Sequence, residues 1–87
     1  PANTGPPLHC SATGKTSYGF DWTYDTDNGN IVVACNYNFD TQQYDFIIYG
    51  AAEGTAHVTL YYNTSDGVQA PLPVTVNVDS DLNATQG

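Results

Sequence analysis

Oxygen-bearing side chains on every second residue are the chain's most concentrated chemistry. Asp21, Thr23 and Asp25 alternate along one run, and Asn36 and Asn38 along another. Residues two apart share a strand face. Carboxylates and amides presented this way can hydrogen-bond the hydroxyls of a sugar, and an aromatic ring beside them would stack on its apolar face. Tyr61 is the first candidate for that ring, with Tyr49 as a second. Any solvated sheet face shows the same alternation. Asp25-Thr26-Asp27-Asn28-Gly29-Asn30 gathers oxygen donors in one turn, with Asp25, Asp27 and Asn30 as candidate calcium ligands. Its spacing is not that of an EF-hand loop, and Asp and Asn also serve tight turns. Calcium is therefore the one cofactor the pattern admits. His9 and His57 fall on different strands without zinc-ligand spacing. A nucleophile elbow is missing, so a non-enzymatic role is expected. Asn63-Thr64-Ser65 and Asn83-Ala84-Thr85 fit the N-glycosylation acceptor pattern.

Charge and cysteines narrow the class. Nine acids against one base, Lys15, give a formal net charge of −8 over 87 residues. Phosphate backbones would be repelled, which argues against nucleic acid and against an anionic membrane surface. No apolar run approaches the roughly 20 residues of a membrane span, so no membrane insertion is expected. The first residues carry no signal-peptide pattern, so any secretory signal is expected to have been removed already or never to have existed. Cys10 and Cys35 form an even pair in a small chain. That count predicts one disulfide and an oxidising, secreted or cell-surface location. Closing such a loop would contribute roughly 3–4 kcal/mol.

These groups must be positioned by strands. Tyr18, Phe20, Trp22 and Tyr24 alternate on one arm, and Ile31, Val33, Cys35, Tyr37 and Phe39 on the next. Asn28-Gly29 between them is a strong hairpin signal. A two-residue loop would place Trp22 opposite Cys35 and Tyr24 opposite Val33, with the aromatic face inward. The outer face would then carry Asp21, Thr23, Asp25, Asn36 and Asn38 together. Leu8 to Ala12, Tyr44 to Tyr49, Ala56 to Tyr62 and Val74 to Val78 read as further strands. Ile47 and Tyr49 are apolar on the second face of their strand, which predicts cover on both sides. Pro71 and Pro73 suit a sheet edge. Residues 1–7 read as an extended Pro-rich arm, 8–79 as the domain and 80–87 as a polar tail. Six or seven short strands with turn signals between them predict an all-β antiparallel sandwich, with a small barrel as the alternative.

Gly54-Thr55-Ala56-His57-Val58-Thr59-Leu60 and Pro73-Val74-Thr75-Val76-Asn77-Val78 resemble the last two strands of immunoglobulin-like domains of microbial surface proteins. That resemblance implies an immunoglobulin-like sandwich on an extracellular protein. A looser likeness is to the chagasin-type cysteine-protease inhibitors, but their Asn-Pro-Thr-Thr-Gly and Arg-Pro-Trp motifs are absent, so no inhibitory loop is implied. Two functions fit. The first is a structural subunit of an extracellular filament, pilus-like fibre or coat, joined to itself or to other surface proteins through its arm and edge strands. The second is a glycan-binding, lectin-like module using the Asp/Asn face.

Overall fold

Alternation resolves into seven strands in the computed structural model, which describes residues 5–87. They are β1 (Leu8–Thr13), β2 (Trp22–Thr26), β3 (Ile31–Asn38), β4 (Gln43–Gly50), β5 (Gly54–Asn63), β6 (Gln69–Val78) and β7 (Ala84–Gln86). Three form a sheet in the order β1-β4-β3, and four form a second in the order β2-β5-β6-β7. All pairings are antiparallel. The chain is thus an all-β antiparallel sandwich.

The core lies between the sheets. Tyr44, Phe46 and Ile48 of β4 are fully buried, against Ala56, Val58 and Leu60 of β5 and Val74, Val76 and Val78 of β6. Phe46 is the hub. Its ring lies parallel to Tyr44 at 5.9 Å and meets Trp22 at 6.1 Å and Tyr62 at 6.3 Å. Pro71 and Pro73 lie in β6, where β7 does not reach, because β7 pairs only with Val76 to Val78. Their missing N–H groups therefore cost no ladder bond on that side.

The expected hairpin about Asn28-Gly29 does not form. Trp22 pairs with Tyr62, and Tyr24 with Leu60, in one sheet. Val33 pairs with Ile48, and Cys35 with Phe46, in the other. Residues 27–30 instead arch from one sheet to the other. Asp27 N–H donates to the His57 carbonyl at 3.3 Å, and the Asn30 carbonyl accepts from Ala51 and Ala52 at 2.8 and 3.2 Å. The Asn28 side-chain amide donates to the Thr55 carbonyl at 2.9 Å. The reason is general. Alternation says which side chains point inward, and strands facing each other across a core satisfy it as well as strands side by side.

The expected disulfide is absent as well. Cys10 and Cys35 are free thiols. Cys10 pairs with Phe46, and Phe46 pairs with Cys35. The cysteines therefore flank one residue, two strand spacings or about 10 Å apart, beyond the roughly 7 Å that a disulfide can span.

The described residues at both ends of the chain bond to the domain. The Pro6 carbonyl accepts the Ala84 N–H at 3.2 Å, so the described part of the arm rests on its own domain. Residues 1–4 of that arm lie outside the described residues. The polar segment 80–87 adds a strand: Asp79 accepts the backbone N–H groups of Asp81 and Asn83 at 3.0 and 2.9 Å, reversing the chain into β7. Ala84 is buried there.

Candidate functional site

The arch separates the oxygen-rich residues. Thr23 and Asp25 are exposed on the outer face of the four-stranded sheet, where Thr23 pairs with Tyr61 and Asp25 with Thr59. Asn36 and Asn38 are exposed on the outer face of the three-stranded sheet, on the other side of the sandwich. Tyr49 is half-buried on that face too, away from Tyr61. Asp21 belongs to neither face. It lies in the β1–β2 loop and accepts a hydrogen bond from the Thr16 hydroxyl. The single Asp/Asn face is thus two faces and a loop.

A second arrangement takes its place. An open groove of about 790 Å³ runs along the outer face of the three-stranded sheet at its β3–β4 end. Ser11, Asp45 and Asn36 form one row across the three strands, and Thr13, Gln43 and Asn38 the next. All but Thr13 line the groove, with Phe39 at its end. Asn38 Oδ1 accepts the N–H groups of Asp40 and Thr41 at 2.9 and 3.2 Å, which shapes the turn and leaves the amide NH₂ as a donor. Asp45 Oδ1 lies 3.1 Å from His9 Nδ1.

Three aromatic rings expected in the core are exposed at this end: Tyr18 (74%), Phe20 (80%) and Phe39 (59%). Between Tyr18 and Phe20, Gly19 has a φ of 77°, a left-handed conformation that favours glycine. A Cβ there would touch Phe39 at 3.6 Å and Tyr37 at 3.7 Å. The loop is therefore laid across the Phe39 ring. Thr16 anchors it, its buried hydroxyl accepting the Tyr18 and Gly19 N–H groups at 3.2 Å each. Phe39 meets Tyr37 edge-on at 4.8 Å. Tyr37 in turn donates its hydroxyl to the Gly14 carbonyl at 2.8 Å. A signal for this exposure was present in the sequence: Gly19 interrupts the aromatic run, and glycine weakens a strand interior.

The candidate calcium ligands are committed differently. Asp27 Oδ2 lies 2.9 Å from His57 Nδ1, and Oδ1 accepts the His57 N–H at 3.0 Å. These bonds hold the Asp27 carboxyl below its ordinary pKa, the imidazole contact first and the backbone bond second. Asn30 turns toward Gly54, while Asp25 projects from β2 beside Thr59. Among the described residues no three His, Cys, Asp or Glu side chains converge on one point. His9 and His57 sit on opposite sheets.

The remaining candidates occupy structural positions. Burial, and then the Asp45 charge, push the Cys35 thiol up to about 11 and raise Cys10 for the same reasons. Asn63 is half-buried at the end of β5, and its carbonyl accepts the Lys15 N–H at 3.1 Å. Asn83 Nδ2 donates to Asp79 at 2.9 Å, a bond a glycan on that nitrogen would disturb. The buried Tyr44 hydroxyl lies beside Thr16 and the Asn63 carbonyl without a hydrogen bond of normal geometry, and burial raises its pKa. No described helix is long and apolar enough to cross a membrane.

Fold and surface together define a small acidic β-sandwich with a grooved outer sheet. Comparison with protein-family models, characterised proteins and solved structures gave no match.

Proposed function

We propose that the chain is a non-enzymatic structural subunit of an extracellular assembly, joined edge to edge through β3. The edge itself carries this reading. β3 is eight residues long, Ile-Val-Val-Ala-Cys-Asn-Tyr-Asn, with no charge and no proline. It pairs with β4 on one side and with no described strand on the other. Soluble proteins blunt such edges with charge, proline or brevity, because unpaired backbone groups recruit other strands. The other three edges follow that rule. β1 carries His9 and is preceded by Pro6-Pro7, β2 carries Asp25, and β7 has three residues.

The face beside the edge supports the same reading. Val32 is 46% exposed, and with Ala34, Ile47 and Tyr49 it forms an apolar strip on the outer sheet. Two copies pairing antiparallel through β3 would make a continuous six-stranded sheet and extend that strip. The negative charge opposes association, so salt should strengthen it. An extracellular placement rests on composition alone, since free thiols remove the cysteine argument. The sandwich build accords with the immunoglobulin-like resemblance. Its strand assignment does not follow the constant-type pattern, in which the first strand shares a sheet with the second, fifth and fourth.

Light scattering across concentration and ionic strength tests the proposal. Reversible association that grows with both, and is lost in Val32→Lys, is the expected result. A wild-type protein that stays monomeric throughout would refute it.

A further inference from the structure

Five large apolar side chains stand exposed among the described residues, and four of them share one end of the sandwich. Tyr18 and Phe20 lie in the β1–β2 loop, Phe39 in the β3–β4 turn and Val68 in the β5–β6 turn. These connections are tied together. Gly14 N–H donates to the Gln42 carbonyl at 2.9 Å, Lys15 N–H donates to the Asn63 carbonyl at 3.1 Å, and Gly19 rests on the Phe39 ring. The fifth side chain is Val32, on the β3 edge. We infer that this aromatic end is a second self-association surface, which meets the same end of another copy and so joins β3-paired dimers into a fibre. The fibre rests on the β3 reading, whereas the contact between ends stands without it.

Antiparallel pairing through β3 is two-fold, and a two-fold contact closes at two copies. A filament needs another contact. Because the paired strands run in opposite directions, such a dimer turns one aromatic end outward at each of its poles. Phe39 directly follows Asn38, the last residue of β3, so the aromatic surface continues the edge. Like ends meeting between successive dimers would propagate the chain of subunits without closing it.

Charge decides which ends meet. The opposite end gathers Asp27, Glu53, Asp79 and Asp81 from the 27–30 arch and the 51–53 and 79–83 turns packed beside it, with no lysine or arginine. The aromatic end carries Asp21, Asp40 and Asp66 together with Lys15, the one base of the chain. β5 has ten residues, a span of roughly 33 Å, so the longest dimension of 39 Å runs along the strands. Contact between aromatic ends therefore holds the two acid-rich ends about two molecular lengths apart, far beyond the roughly 8 Å over which charges act at physiological salt. Contact through the other end would bring four carboxylates against an equally acidic copy.

Size sets the strength. Aromatic side chains carry about 150–250 Å² each, so the exposed parts of the three rings and Val68 make a patch of roughly 400–500 Å². Apolar patches of that size on a monomer are often functional. Two of them would bury about 800–1,000 Å² together, below the roughly 1,200 Å² at which stable complexes begin. One contact is thus weak and shows only at high concentration, while the two that each dimer makes act together along a fibre. A lipid surface is the rival occupant, and the three carboxylates at this end oppose an anionic one.

Light scattering at micromolar concentration and NMR at millimolar concentration read the two contacts separately. Wild type should grow past the dimer, whereas Phe20→Ser and Val68→Ser should each stop at the dimer. The two positions lie on different loops, and preserved amide shift dispersion would confirm that both variants fold. Val32→Lys, monomeric at micromolar concentration, should at millimolar concentration show concentration-dependent shifts confined to residues 15–20, 39–41 and 65–68. Adding Phe20→Ser should remove them. The inference is overturned if Phe20→Ser associates as wild type does, if the shifts of Val32→Lys do not change with concentration, or if they map elsewhere. It is also overturned if Phe20→Ser abolishes binding to phosphatidylcholine vesicles and leaves self-association intact. Association that persists unchanged in Val32→Lys and disappears in Phe20→Ser would refute the β3 edge alone and support the contact between ends.

Discussion

Oxidising conditions should not cross-link Cys10 to Cys35 in the folded protein. The perturbation is equilibration with a mild oxidant before unfolding. Closing the loop between the two cysteines would restrict the unfolded chain by roughly 3.5 kcal/mol. Against that, the thiols lie on either side of Phe46, two strand spacings or about 10 Å apart. Bridging them requires an approach to within about 7 Å, and so the displacement of the ring between them. Losing a buried phenylalanine from a core costs about 3–5 kcal/mol. The cost is comparable to the gain or larger, and the backbone strain of closing the gap adds to it, so the folded dithiol wins. Alkylation in denaturant without reductant, followed by mass spectrometry, should show two adducts per chain. In the native state labelling should be slow, because the thiolate is the nucleophile. With Cys35 pushed up to about 11, its thiolate fraction at pH 8 falls on the order of a hundredfold below that of a free cysteine. A chain that takes no adduct after unfolding would show a disulfide. It would refute the β1-β4-β3 order itself, since that order is what separates the cysteines.

Further expectations concern the core and one exposed pair. Phe46→Ala should destabilise the domain by about 3–5 kcal/mol, a large share of the roughly 4–13 kcal/mol expected for a chain of this size. Urea titration followed by Trp22 fluorescence would measure it, and a loss below about 1 kcal/mol would contradict the hub position of Phe46. Asp27→Asn should remove a pH-dependent part of stability. The Asp27 carboxyl is held low in the folded protein, so its contribution is present above the unfolded carboxyl pKa of about 3.9 and is lost as pH falls through the lower folded value. Wild type and Asp27→Asn should therefore differ in urea midpoint at pH 7 and converge near pH 2. A difference that persists at pH 2 would mean that the Asp27–His57 contact is not its source.

Much of the fold was legible from residue types alone. The alternation of Ile31, Val33, Cys35 and Tyr37, or of Ala56, Val58, Leu60 and Tyr62, identifies strands and their inward faces, because a period of two has one structural meaning. Glycines, prolines and Asp/Asn clusters marked the turns for an equally local reason. What the sequence left open was the partner of each strand. An inward Trp22 is equally satisfied beside Cys35 or across the core from it, since burial rewards either. The choice fell to long-range contacts: Asn28 to Thr55, Asp27 to His57 and Asn30 to Ala51 turn the loop into an arch. From that choice follow the free cysteines, the division of the Asp/Asn residues between two faces, and the exposed ring of Phe39 beside the groove. Composition determined an acidic all-β domain whose polar and apolar residues alternate. Tertiary structure alone decided which of those residues meet, because pairing depends on segments far apart in the chain.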